Sequence, residues 1–266
     1  MPTVTIDGCK VEVERGATVL DAAKKAGIWL PTLCYHPAIS TGGSCRICMV
    51  ELDRGDWRQL ITACNYPVRQ DIIVYVSSER AQNARRGVME LLLARSPESE
   101  ELKALAERMG VKDTRYPTVT ESQRNCILCG LCVQVCEEII GKAAISFASR
   151  GVDKTVAAPF RQPSEDCIGC GACAAVCPVG TIKVRIHKDT QEVEISPFKS
   201  RAKLLVCKEC GEPIVSAQVA EQALNRLDFD IEEFRELIQL CPKCRQRKTV
   251  ASFETANLKL NNMAYK

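Results

Sequence analysis

Hydrophobic and polar residues alternate with period two over residues 3–6 (TVTI) and 10–14 (KVEVE), on either side of Asp7-Gly8. Such alternation predicts half-buried strands, and Asp-Gly between two of them predicts a type I′ hairpin turn. Thr18 then opens VLDAAKKAG, whose apolar residues recur at helical spacing. Asp21 stands at the N3 place of a capping-box-like start, and Gly27 supplies the stop. Strand, hairpin, strand and helix is how a β-grasp domain begins. Residues 47–52 (ICMVEL) and 71–76 (DIIVYV) read as further strands, and this module ends near Ser77.

The pattern turns helical at 79–110. ERAQNARRGVMELLLAR breaks at Ser96-Pro97, and ESEELKALAERMG follows and ends at Gly110. Residues 111–122 are a polar connector, and a cysteine-rich core runs from 125 to about 197. A last module begins near Lys203, with an apolar strand (LLV), a CxxC pair, helical SAQVAEQALNRL and IEEFRELIQL, and a second CxxC pair. From about 254 the tail has no clear period. The expected organisation is α+β, in four segments: a β-grasp domain at 1–78, a helical spacer and linker at 79–122, a ferredoxin-like domain at 123–200, and a small zinc-ribbon-like module with its tail at 201–266.

Composition narrows the chemistry. Aromatic residues make up 5% of the chain, so its cores must rely on Val, Ile, Leu and Ala, together with any cross-linking metals. The net charge of +3 arises from interspersed basic and acidic residues, which argues against nucleic acid as the main partner. No apolar run approaches the roughly 18 residues of a membrane span. The start, MPTVTIDG, has no basic-then-apolar signal, so a cytoplasmic location is expected. The chain has 17 cysteines, and all but Cys9 fall into four groups of four at tight spacings. That arrangement suits metal thiolates better than a disulfide scaffold.

The strongest signal is a pair of near-identical runs. Cys126-x2-Cys129-x2-Cys132-x3-Cys136 is followed by Cys167-x2-Cys170-x2-Cys173-x3-Cys177-Pro178. In the bacterial two-cluster ferredoxin pattern the fourth cysteine of each run ligates the other cluster. One [4Fe–4S] cluster is then expected on Cys126, Cys129, Cys132 and Cys177, and the other on Cys167, Cys170, Cys173 and Cys136. Small residues in the loops (Gly130, Gly169, Gly171, Ala172) let backbone N–H groups approach sulfur. Glu137 stands where the second run has Pro178, which removes no ligand.

A second set, Cys34-x10-Cys45-x2-Cys48-x15-Cys64, lies on the β-grasp module, and Gly42-Gly43-Ser44 ahead of Cys45 can fold over a small rhombic [2Fe–2S] cluster. A zinc site is the bland alternative there, because the first gap is longer than in the plant-type spacing. A third set joins Cys207-x2-Cys210 to Cys241-x2-Cys244. Two such turns make a closed tetrahedral thiolate site suited to a structural zinc ion. A rubredoxin-like single iron and a further [4Fe–4S] cluster are the alternatives.

The run IWLPTLCYHP…GGSCRICMVEL…ACNYPV resembles the N-terminal [2Fe–2S] domain of [FeFe]-hydrogenases, of the complex I large iron–sulfur subunit and of the diaphorase iron–sulfur subunit of NAD-reducing hydrogenases. RNCILCGLCVQVCEEI…DCIGCGACAAVCPVGTI continues the resemblance into their dicluster ferredoxin region, to about residue 195. Those relatives usually carry a further cluster on one His and three Cys just after the first domain. Here that place reads ELLLARSPESEELKALAERMG, with no His and no Cys, so that cluster is expected to be absent. The resemblance implies an electron-transfer subunit with no catalytic site of its own. Its implied partners are a flavin-containing NAD(P)H-handling subunit and a catalytic redox subunit, such as a hydrogenase, a formate dehydrogenase or another molybdenum or tungsten enzyme.

Weaker signals resolve to plain roles. Gly169-x-Gly171-x-x-Ala174 fits a dinucleotide fingerprint in letters only, since it lies inside a cluster loop. Gly141-Lys142 lacks the rest of a phosphate-binding loop. His36 stands beside a motif complete without it, His187 lies in an alternating surface segment, and Cys9 reads as a spare thiol. The patch from Arg245 to Lys248 reads as a solvated face. A freestanding ferredoxin-like shuttle and an iron–sulfur redox sensor are the competing functions. The shuttle would not need the extra modules, and the sensor would want an effector element, which the sequence lacks.

Overall fold

The computed structural model describes residues 1–119, 125–226 and 236–250. The chain forms two compact units. Unit 1 comprises residues 1–157 and 172–182, and unit 2 comprises 158–171 and 183–266. This partition differs from a boundary at 200. Strands between 183 and 206 pair with one another and continue into the C-terminal module, and they take the segment bearing Cys167 and Cys170 with them.

In unit 1, β1 (Thr3–Ile6) and β2 (Cys9–Glu12) form the expected hairpin, Ile6 opposite Cys9. Asp7 (φ 47°) and Gly8 (φ 89°) both take the positive φ that a type I′ turn demands. β3 (Met49–Asp53), β4 (Arg58–Thr62) and β5 (Ile72–Tyr75) complete a five-stranded sheet of order β2-β1-β5-β3-β4, with β5 parallel to β1. α1 (Val19–Lys25) begins with a full capping box. The Asp21 N–H donates to Thr18 Oγ1 at 3.1 Å, and the Thr18 N–H donates to the Asp21 carboxylate at 3.0 Å. Its buried Val19, Leu20, Ala22 and Ala23 cover Val4, Ile6, Val50, Leu52 and Val74 of the sheet.

A second apolar core lies beyond this one. α2 (Glu79–Arg95) and α3 (Glu100–Arg108) are capped by Ser78 and Ser99, whose side chains accept from the Ala81 and Leu102 N–H groups. Met89, Leu92 and Leu93 of α2 and Leu102 and Ala106 of α3 pack with Leu33, Cys34, Ile39, Cys45 and Ile47 from the loop before β3. Ile127, Cys129, Leu131 and Val135 join the same cluster. α2 is also tied to the sheet. Arg85 donates to the Met49 carbonyl at 2.7 Å and to the Val76 carbonyl at 2.8 Å, while Arg80 and Arg58 face buried Glu51 at 3.4 and 3.8 Å. The stretch expected as a spacer therefore builds core.

Downstream, Gly130 (φ 85°) starts α4 (Leu131–Gln134), which widens into a π-helix over Val135–Ile139. A short hairpin of β6 (Ser146–Ala148) and β7 (Thr155–Ala157) follows, and α5 (Ala172–Ala175) completes unit 1.

Unit 2 is built on a four-stranded antiparallel sheet, β11-β10-β9-β8. It comprises β8 (Lys183–His187), β9 (Glu192–Ser196), β10 (Ser200–Val206) and β11 (Pro213–Ser216), followed by α6 (Ala217–Leu224). The segment 158–171 lies against this sheet. Gly169 (φ 66°) comes so close that an added Cβ would sit 2.6 Å from Val193 and 2.9 Å from Ala202. The expected strand LLV is the end of the seven-residue β10. Of the expected helix IEEFRELIQL, residues 231–235 lie outside the described residues, as do the end of the polar connector (120–122) and the tail from 254.

If α2 and α3 are core and not tether, Leu102→Ala should destabilise unit 1 by about 2–5 kcal/mol, the usual cost of truncating a fully buried leucine. Denaturant unfolding followed by circular dichroism measures this. A spacer lying on the surface would shift by less than about 0.5 kcal/mol.

Candidate metal centres

No disulfide joins any of the 17 cysteines. Cys34, Cys45, Cys48 and Cys64 are all buried, and they converge from the loop before β3 and the turn after β4. The Cys45 N–H donates to the Cys34 sulfur at 3.4 Å, and the Ser44 N–H also points at it. Side-chain hydrogen bonds from Cys45 and Cys64 pull the Cys34 thiol down to about 2, and one from Cys64 brings Cys48 down to about 7. Cys45 and Cys64 are pushed up, each first by its bond to Cys34. Sulfurs hydrogen-bonded in such a chain cannot all be thiolates unless a cation sits among them.

The loop over this group is held by residues that the spacing of cysteines did not single out. Gly43 takes φ 63°, and an added Cβ would meet Asn65 Nδ2 at 2.6 Å, so only glycine lets the loop close. Asn65 is in turn hydrogen-bonded by the Thr62 hydroxyl, which Arg46 reaches at 3.5 Å. Two polar residues around Cys64 were the only available hint of this latch. His36 accepts from the Ala38 N–H at 3.3 Å and takes part only in its own turn.

Cys126, Cys129, Cys132 and Cys177 all belong to unit 1. The Leu128 N–H donates to the Cys126 sulfur at 3.4 Å, while Arg95 of α2 donates to the Cys126 carbonyl at 2.8 Å. Burial pushes the Cys126 thiol up and the Cys129 thiol up to about 12, and Cys132 rises for the same reason. Charge on Cys177 raises all three further, and Cys177 packs against the core cluster that holds Cys129. Charge on Cys34 also acts on Cys129, as their shared apolar core requires.

Cys136 lies in the π-helix, where its sulfur accepts from the Ala144 N–H at 3.3 Å. Cys173 shares unit 1 with it, whereas Cys167 and Cys170 belong to unit 2. Next to this helix, Gln134 donates to the Ser40 carbonyl at 2.9 Å, and the Ser40 N–H donates to Glu138 at 3.0 Å. The cysteine loop of the β-grasp part is thereby clasped to the helix that carries Cys136.

The third set is compact. The sulfurs of Cys207, Cys210, Cys241 and Cys244 all lie within 4.8 Å of one another. The Cys241 N–H donates to Cys207 at 3.3 Å and brings its thiol down to about 6, and Ile214 and Leu240 close the site from the apolar side. Arg247 donates to the Cys244 sulfur at 2.8 Å. The basic patch from Arg245 to Lys248 is thus not merely a solvated face: one of its guanidiniums turns inward to a thiol. His187 sits on β8 as expected, with Nε2 3.1 Å from Glu194. Cys9 is exposed at the start of β2.

No helix among the described residues is long and apolar enough to cross a membrane. Residues 1–79 match the model of a 2Fe-2S iron-sulfur cluster binding domain, and residues 125–181 match that of a 4Fe-4S dicluster domain. The chain is 32% identical over 177 residues to the mitochondrial NADH-ubiquinone oxidoreductase 78 kDa subunit of Candida albicans, covering 58% of this chain and 24% of that one. It is 36% identical over 187 residues to the NADP-reducing hydrogenase subunit HndD of Solidesulfovibrio fructosivorans, covering 60% and 32%. It therefore spans no more than about a third of these relatives' length. A chain of the NAD+-reducing [NiFe]-hydrogenase, solved in the H2-reduced state, superposes with a TM-score of 0.50 at 32% identity; the match covers 59% of this chain and 74% of that one. Two cysteine-rich domains in this order place the chain in the family of iron–sulfur proteins that join a [2Fe–2S] domain to a [4Fe–4S] dicluster domain, to which these oxidoreductase and hydrogenase subunits also belong.

Proposed function

We propose that this chain is the electron-transfer subunit of a multi-subunit oxidoreductase, joining a flavin-containing NAD(P)H-handling subunit to a catalytic redox subunit. The observation that carries this reading is the common core of Cys34, Cys45 and Cys129, which sets two cysteine groups side by side in one unit. In this reading Cys34, Cys45, Cys48 and Cys64 hold one [2Fe–2S] cluster. Cys126, Cys129, Cys132 and Cys177 hold one [4Fe–4S] cluster, and Cys136, Cys167, Cys170 and Cys173 hold the other. The donor sets suit these groups: each consists of thiols alone, and backbone N–H groups point at sulfur in the first two sets and at Cys136 in the third. When bound, the clusters supply one-electron carriers and nothing more. The chain's own residues exclude water from Cys129 and Cys132, fix the loops through Gly43 and Gly130, and hold the two cysteine loops together through Ser40, Gln134 and Glu138.

The fourth set belongs to structural zinc in this account. A single tetrahedral ion with Zn–S near 2.3 Å separates its ligand sulfurs by about 3.8 Å. The observed grouping within 4.8 Å suits that geometry better than a cubane, whose four outer thiolates bind four different irons. Arg247 supports the charge of a closed four-thiolate site through Cys244. A cytoplasmic location belongs to the same reading, because free thiols in metal-binding sets survive in a reducing compartment.

Anaerobically purified protein should contain about ten irons and one zinc, measured by metal and sulfide analysis with EPR. A value near six irons would mean that a cubane is not assembled, and near fourteen that the C-terminal set holds another. Cys177→Ser should damage the cluster on Cys126, Cys129 and Cys132, although it lies beyond the whole second loop in sequence. An intact EPR signal from that cluster would show each run closing its own. Cys207→Ser should release zinc and loosen the C-terminal module while leaving three cluster signals in place. Loss of a cluster signal instead would sink the zinc assignment. The isolated chain should accept electrons from dithionite yet show no NADH-, formate- or hydrogen-dependent dye reduction; turnover without a flavin subunit would overturn the wire.

A further inference from the structure

Among the described residues, β8 is paired only with β9, and its other edge is open. An open edge is a row of unused backbone donors and acceptors, a template for an added strand. Val184 and Ile186 stand opposite Ile195 and Val193, which are 0% and 3% exposed, so they belong to the sheet's core face. They are nevertheless 44% and 53% exposed, because the cover over that face runs out at β8. The other face of the strand presents Lys183 and Arg185. Arg185 stands opposite Glu194, but Arg201 at 2.9 Å and His187 at 3.1 Å already hold that carboxylate. No ion pair of Lys183 or Arg185 is found among the described residues.

The same edge adjoins a proposed cluster ligand. Gly171 takes φ 72°, and an added Cβ there would lie 3.2 Å from Val184 Cγ2. Its neighbour Cys170 is exposed, whereas Cys129 and Cys132 are buried.

We propose that the open edge of β8 is a docking site for an extended, alternately apolar and acidic segment of a redox partner subunit. That segment adds a fifth strand to the sheet of unit 2, beside Cys170. Its apolar side chains meet Val184 and Ile186, and its alternate, acidic side chains meet Lys183 and Arg185. A second copy of this chain is a poor occupant, because it would set lysine and arginine against their own kind. The inference rests on the electron-transfer reading, and it identifies the surface at which that reading's partner is met.

The test uses the native assembly, purified anaerobically through a tag on this chain. Amide exchange over 183–187 should slow by roughly tenfold or more against the isolated chain, as ladder hydrogen bonds form. Zero-length carbodiimide coupling should join Lys183 to an Asp or Glu in a partner segment that alternates apolar and acidic residues. Ile186→Lys combined with Arg185→Glu should weaken retention of that subunit by roughly tenfold or more, while iron content and the three cluster signals stay as in the parent. Unchanged exchange, couplings confined to this chain or to a second copy of it, or full retention in the double variant would each overturn the docking site while leaving the wire intact. A chain that purifies with no redox partner at all would overturn both.

Discussion

Leu33, Ile39 and Ile47 pack with Met89, Leu92 and Leu102 and with Ile127 and Leu131, and this contact decides where the sulfurs of unit 1 stand. Burying side chains of this size contributes roughly 1.5–3 kcal/mol each. An exposed ion pair such as Lys103 with Glu100 contributes about 0–1 kcal/mol. The core therefore dominates, and the loops bearing Cys34, Cys45 and Cys129 are placed largely by their apolar neighbours. The polar clasp through Ser40, Gln134 and Glu138 then fixes the approach of the next helix. The proposed relay of electrons needs this rigidity more than it needs a pocket.

The cost of that arrangement falls on the thiols. Burial pushes Cys129 up to about 12 and raises Cys126 and Cys132, so without a cation these sites hold protonated sulfur. Metal binding must release those protons, which ties cluster loading to folding of the loops around it. The C-terminal set meets the same problem by other means. Backbone N–H groups lower Cys207 and Cys241, and Arg247 supplies a positive charge beside Cys244. Zinc there would stabilise a module whose apolar cluster, around Ile214 and Leu240, is too small to hold itself together.

Local chemistry was legible in the sequence wherever it acts over a few residues. Asp7-Gly8 set the hairpin, Thr18 and Asp21 capped α1, and the break at Ser96-Pro97 ended α2 at Arg95. Cysteine spacing pointed to the four groups for the same reason, since one loop must wrap several corners of a cluster. Contacts between distant segments were not legible. The helices bearing Met89, Leu92 and Leu102 read as a spacer until Leu33 and Ile127 are known to lie against them. β4 escaped notice because RQLIT does not alternate cleanly, and the π-helix over Val135–Ile139 has no signature in residue propensity. Gly43 was legible as part of the loop before Cys45, but its latch partners Thr62 and Asn65 were hidden because asparagine and threonine beside a cysteine are unremarkable in composition. The division into two units was hidden as well: the loop with Cys167 and Cys170 joins the sheet of unit 2 through Gly169, a fit between glycine and sheet that only three dimensions reveal.

The central claim is that one core holds the cysteine sets around Cys34 and Cys129 close enough to interact without any partner. EPR of the isolated, dithionite-reduced chain tests it most directly, by comparing microwave power saturation of the [2Fe–2S] signal in the parent protein and in Cys129→Ser. The account predicts faster spin relaxation in the parent, through a neighbouring paramagnet in the same unit, and slower relaxation once that neighbour is lost. Identical saturation in the two proteins, with the second cluster shown to be reduced in the parent, would contradict it.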